Sequence, residues 1–337
     1  MSDSGIRGPG REAEAPRFRR AVVTGAGGFI GDAVCRALAA EGSEVVGLDV
    51  DPGLASKVQE TGARFELADV TEREALDRAF AGADLVIHTA AYVREWGEME
   101  DFIRVNVGGT VNVLDAAEDA GVERVVHLSS VVVYGYAEEG EQDESAHRRN
   151  VGVPYIDTKS ASDRIACRRG AVVIRPGDVY GPGSVPWILR PLEMTRAKQA
   201  ALPGAGDGQM LPAYIDDLVA AIVLGAQKGK PGTAYTIWDG TPVGFDELFE
   251  RLAQISGGAG ARHLPRPLLS AIAGVTESVA KLRGKPPRFG RHGITLVDRR
   301  GTASNRLARE ELGWEPQVSF DEGLRRSEEW LRAEGLA

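Results

Sequence analysis

Cysteine is nearly missing from this chain: Cys35 and Cys167 are the only two in 337 residues, and each falls within a helical pattern. That argues against a disulfide framework or a thiolate metal site, and the five scattered histidines lack metal-ligand spacing, so no metal is expected. A basic excess is missing too. Forty Lys and Arg stand against 49 Asp and Glu, a net charge of −9, which argues against a non-specific nucleic-acid binder. No window approaches the eighteen consecutive apolar residues of a membrane span, so stable membrane insertion is not expected. Residues 1–18 are polar and rich in Gly, Pro and charge without the apolar stretch of a signal peptide, and read as a disordered tail. The cytoplasm is the expected location.

The composition is that of a soluble globular protein, 43% hydrophobic and 26% charged, long enough to bury a large core. From Arg20 onward, short apolar runs alternate with amphipathic ones: "AVVTG", residues 29–40, "EVVGLD", "ARFEL", "ADLVIHTA", a long helical pattern over 101–120, and "ERVVHLSS". Apolar strands alternating with helices predict an α/β fold, a Rossmann-type doubly wound parallel sheet covered on both faces. Gly42 and Gly121 close helical patterns just before strands. The dinucleotide-binding domain is expected over 19–185, with 213–240 returning to it. Residues 186–212 and 241–337 would form a smaller substrate lobe, interleaved in sequence.

"VVTGAGGFIG" places Gly25, Gly28 and Gly31 between the first strand and the first helix, with Phe29 and Ile30 inside the turn. Glycines there allow a tight turn and close approach to a pyrophosphate, which the helix N-terminus stabilises. Asp49 ends the second strand, where a carboxylate can accept from both adenosine ribose hydroxyls and would repel a 2′-phosphate, so NAD is expected over NADP. Asp51 competes for that role. In "PYIDTK", Tyr155 and Lys159 stand four residues apart, one above the other on a helix face, with Pro154 suited to the first turn. Seven Tyr and seven Lys would give about 0.15 such pairs by chance. Oxidising a secondary alcohol needs a base for the hydroxyl proton while hydride leaves carbon, and reduction needs the same group as an acid. A cation beside a phenol favours its ionised form.

In order along the chain, "TGAGGFIG", "LADVTE", "VIHTAA", "NVGGTVNVLDAA", "VVHLSSVVVYG", "PYIDTK", "IRPGDVYGPG" and "YIDDLVAA" resemble the extended short-chain dehydrogenase/reductase family, the NAD-dependent epimerase/dehydratase superfamily. The resemblance implies a Ser-Tyr-Lys site made of Ser130, Tyr155 and Lys159, with Ser130 four residues before Tyr134 and therefore preferred to Ser129. It implies that Asp69 and Val70 flank the adenine, that Ala90 lines the cofactor cleft, that Asn106 holds a structural or water-linked place, and that Pro176 and Gly177 pass the nicotinamide. It also implies a homodimer built from the helices near 101–120 and 155–168.

Nucleotide-sugar members commonly carry an Arg ahead of "YVDD" that pairs with the diphosphate; here Met210 stands in its place. With the apolar second lobe, that points to a hydrophobic small-molecule substrate. The segment "RPLLSAIAGVTESVAKLRGKPPRFG" resembles the 3β-hydroxysteroid dehydrogenase subgroup, so a steroid-like or lipid-derived alcohol is expected, with a nucleotide-sugar epimerase or dehydratase, or a non-catalytic NAD-binding regulator, as alternatives. Trp96, Val179, Trp187 and Met210, with Ser130, are the candidate substrate contacts. Residues 267–282 show apolar positions at helical spacing, either core packing or a lipid-facing surface. Ile156 departs from the small residue that usually follows the family's Tyr.

Overall fold

The computed structural model describes residues 16–94, 97–136, 139–146, 150–283 and 290–337. Seven apolar runs form one parallel sheet: β1 (Arg20–Thr24), β2 (Glu44–Asp49), β3 (Arg64–Leu67), β4 (Leu85–His88), β5 (Arg124–Leu128), β6 (Val172–Pro176) and β7 (Ala234–Ile237). Across the sheet they run β3-β2-β1-β4-β5-β6-β7, so the order reverses between β1 and β4. Open sheets of this kind bind ligands in the crevice at the carboxyl ends of the strands flanking such a reversal.

Alternation along each strand assigns the two faces. From β1, Ala21 and Val23 pack with Val34 and Leu38 of α1 (Phe29–Ala40), while Val22 joins the opposite cluster with Leu76 and Phe80 of α2 (Arg73–Phe80) and Val113 of α3 (Gly109–Asp119). Beside α3 lies α4 (Pro154–Arg168), and α5 (Ile215–Lys228) packs next to α1. Both glycine stops are left-handed, Gly42 at φ 91° and Gly121 at φ 66°. The long pattern over 101–120 is a helix interrupted by a wider π-type turn at Ile103–Gly108, which holds Asn106.

The motif "IRPGDVYGPG" divides: β6 stays in the main sheet, whereas Asp178–Tyr180 leaves it to pair with Pro212–Tyr214. Beyond it come α6 (Phe245–Ser256), α7 (Arg266–Arg283), α8 (Arg291–Val297) and α9 (Phe320–Ala333). Leu192, Met210, Phe249, Trp314 and Leu331 belong to the same buried cluster as Val23 and Ile174, so one core runs beneath both parts of the chain. Phe18, placed in the tail by the sequence reading, is buried in this core, and its carbonyl accepts from the Ser43 hydroxyl at 2.7 Å. An aromatic side chain with a buried seat belongs to the fold, which therefore starts before the expected boundary.

Candidate active site

At the reversal point the glycine turn is held by sterics. A Cβ on Gly31 would stand 2.1 Å from the Gly25 carbonyl oxygen, and one on Gly25, whose φ is 70°, would stand 2.8 Å from Cα of Ala90. No side chain caps α1, and Gly28 at its start is exposed, so the positive end of this helix is open to an anion. Phe29 and Ile30, both half-buried, form its first turn. Asp49 lies at the tip of β2, its Oδ2 accepting from Gly27 N at 3.0 Å and its Oδ1 from Asp51 N at 3.1 Å. The carboxylate is thereby fixed beside the turn, with lone pairs to spare for ribose hydroxyls. Lys57, the first cation after Asp49, donates to the Gly27 carbonyl at 2.8 Å. A pyrophosphate and an adenosine ribose fit these groups.

Asp69 Oδ1 accepts from Thr71 N at 2.8 Å, and buried Val70 packs where a Cβ on Gly109 would fall, 2.7 Å away. Asn106 is buried: its Oδ1 accepts from Tyr92 N at 2.6 Å and its Nδ2 donates to Thr158 Oγ1 at 3.1 Å, tying the segment after β4 to α4. At the end of β6, a Cβ on Gly177 would meet the Leu211 carbonyl oxygen at 2.2 Å, so a neighbouring backbone alone requires glycine there. Pro176, just before it, pairs with Ile237.

The expected Ser-Tyr-Lys residues lie on α4 and the turn after β5. Pro154 opens α4, as its ring geometry favours. Tyr155 is half-buried, its hydroxyl makes no hydrogen bond among the described residues, and burial pushes it up to about 12. Lys159 is buried and its Nζ donates to the Leu128 carbonyl; burial brings it down to about 8, against the opposing pull of Asp163. Ser130 Oγ accepts from Val132 N at 3.3 Å, which leaves its own proton free to donate. Ile156 finds its reason here, since it fills a buried cluster with Val132, Tyr136, Tyr155 and Leu296.

Two of the expected substrate contacts change status. Met210 is fully buried in the core and has no surface to offer a substrate, and Val179 is buried in the same cluster. Half-buried Trp187 stacks on Phe245 with ring centroids 6.0 Å apart. Trp96 lies outside the described residues.

Beneath these groups runs a polar network that the motifs did not announce. Asp163 and Arg175, both fully buried, form a bidentate pair at 2.9 and 3.0 Å. The Ser129 hydroxyl donates to Asp163 at 2.7 Å, Arg175 donates to the Tyr134 hydroxyl at 2.9 Å, and that hydroxyl lies 2.8 Å from Thr236 Oγ1. Asp163 is one turn beyond Lys159 on α4, and Arg175 is the one charge in the otherwise apolar run "AVVIRP"; those were the available signals. The buried rings of His88 and His127 are tilted against each other with centroids 5.3 Å apart, both held neutral first by burial and then by Lys159, His88 at about 3. Buried Arg299 is paired with Asp178 and sits over the Tyr136 ring.

The model of the NAD dependent epimerase/dehydratase family matches residues 21–237. A 2-alkyl-3-oxoalkanoate reductase from Stenotrophomonas maltophilia is 31% identical over 331 residues, covering 90% of this chain and 97% of that protein. A 4-hydroxy-2-methyl-3-oxo-4-farnesyl-3,4-dihydroquinoline-1-oxide ketoreductase from Stigmatella aurantiaca is 28% identical, covering 90% and 94%. Among solved structures, the dTDP-glucose 4,6-dehydratase DesIV from Streptomyces venezuelae, with NAD and TYD bound, superposes with a TM-score of 0.76 at 28% identity, covering 93% of this chain and 97% of that one.

Proposed function

The chain belongs to the NAD-dependent epimerase/dehydratase family and is a nicotinamide-dependent enzyme of the extended short-chain type, and from that premise we propose that it interconverts a secondary alcohol and a ketone on a bulky hydrophobic substrate. The observation that carries this reading is electrostatic. Met210 is buried where nucleotide-sugar enzymes commonly present an arginine, and the buried arginine beside Tyr136, Arg299, is already paired with Asp178. A diphosphate needs unspent cations. The reductase and ketoreductase relatives support a ketone bearing a lipid-like chain.

In this reading the nicotinamide supplies or accepts the hydride. Tyr155 holds the proton that passes to or from the substrate oxygen, Ser130 donates its free hydrogen to that oxygen, and Lys159 stabilises the phenolate as the proton leaves. Gly25, Gly28 and Gly31 seat the pyrophosphate, and Asp49 selects NAD by accepting from the ribose. A homodimer through the α3 and α4 region and a cytoplasmic location complete the proposal. A nucleotide-sugar dehydratase or epimerase is the second reading, favoured by one feature: Nη1 of Arg299 is buried with no hydrogen-bond partner among the described residues. Purified protein assayed by reduced-nicotinamide absorbance against 2-alkyl-3-keto acids, hydroxysteroids and nucleotide sugars separates the two. Turnover confined to the hydrophobic ketones and alcohols is expected, and turnover confined to nucleotide sugars overturns the first reading.

A further inference from the structure

Helix α7 carries apolar residues on two faces. Leu269 and Ala273 are buried and pack with Ile294 of α8, with Ala201 and Leu264 against them. Leu268, Ile272, Val275, Val279 and Leu282 point outward, with Val275 64% and Leu282 88% exposed. Their spacing of four and three residues draws a straight seam about 21 Å long. Scattered exposed apolar residues need no explanation, but a continuous seam of five marks a surface made to be covered.

Charge says what covers it. Between residues 266 and 292 the sequence has six Lys and Arg, Arg266, Lys281, Arg283, Lys285, Arg288 and Arg291, against the single acid Glu277, in a chain whose net charge is −9. Arg266 is paired with Asp298, and the other five cations all follow Glu277 in the sequence. An apolar stripe with basic residues gathered beside it is the pattern of a helix that lies in the interface of an anionic bilayer. A second copy of the chain fits worse. The seam offers a few hundred Å², below the ~800 Å² per partner of a stable dimer.

We propose that the outer face of α7 adsorbs reversibly to an anionic lipid surface, apolar seam inward, without crossing the membrane; no helix among the described residues is long and apolar enough to cross one. The surface is mechanically close to the site. Helix α8 packs on α7 through Ile294 and, two residues on, contributes Leu296 to the cluster that contains Tyr155. A substrate partitioned into lipid would then meet the lobe that receives it.

The test is co-sedimentation of the full chain with phosphatidylcholine vesicles carrying about 30 mol% phosphatidylserine, beside pure phosphatidylcholine vesicles. Anionic vesicles should bind at least about tenfold more tightly, with binding weakened at high salt. The exposed double variant Val275→Asp/Leu282→Asp should lose binding at least about tenfold while keeping its melting temperature and vesicle-free turnover. Unreduced vesicle binding by that variant, no preference for anionic vesicles, or self-association of the wild type that the variant abolishes would each overturn the proposal. Because vesicle binding is read without turnover, its failure is distinct from failure of the redox reading.

Discussion

At the glycine turn Gly25 and Gly31 leave no room for a side chain, whereas on the α4 side of the cleft a chain of buried polar groups leaves no room for a change of charge. The glycine turn is specified by contact distances between backbones, so a methyl group there meets atoms that cannot yield. Around Tyr155, the geometry tolerates bulk, as Ile156 shows, but the charges of Lys159, Asp163 and Arg175 depend on one another. The contrast teaches how each end should fail: one abruptly and independently of pH, the other by degrees and with a pH signature.

The largest effect on cofactor binding should come from Gly31→Val, which drives its side chain into the Gly25 carbonyl. Nicotinamide affinity should fall at least about a hundredfold, seen as loss of the NAD-induced rise in melting temperature; retained binding would break the steric half of the comparison. Next is Arg175→Met, which strands a buried carboxylate. Urea unfolding should show a loss of about 3–5 kcal/mol, and Asp163→Leu/Arg175→Met should recover most of it, because apolar replacement of both partners removes the stranded charge.

The sequence anticipated these two ends unequally. The turn was readable because its determinants are local: glycines at fixed spacing between an apolar strand and an amphipathic helix. So were the first five strands of the sheet, whose runs survive almost unchanged. Ser129, Asp163, Arg175, Tyr134 and Thr236 lie over a hundred residues apart at their extremes and are joined only by folding, so no spacing rule could assemble them. Asp178–Tyr180 left the main sheet for the same reason, since its partner is Pro212–Tyr214. The burial of Met210 could not be seen from the sequence, because the residues that cover it are brought there only by folding.

Smaller effects sharpen the electrostatic half. Lys159 sits at about 8, cationic below that value and neutral above it, so the rate of ketone reduction should fall as pH rises through about 8. Asp163 holds that value up, so in Asp163→Asn the falling limb should move to lower pH, by up to about one unit. An unmoved limb would assign the pair a purely structural role. The smallest change should be Asp49→Asn, lowering the preference for NAD over NADP by about tenfold, the worth of one charge-assisted hydrogen bond, in the ratio of kcat/KM values.

The most direct measurement is the steady-state turnover of Tyr155→Phe beside wild type on the best ketone of the panel, with NAD-induced thermal stabilisation recorded on both proteins. If Tyr155 carries the proton, kcat should fall by about 10²–10⁴ with stabilisation by NAD unchanged. Turnover within tenfold of wild type, with NAD still bound, would contradict that assignment.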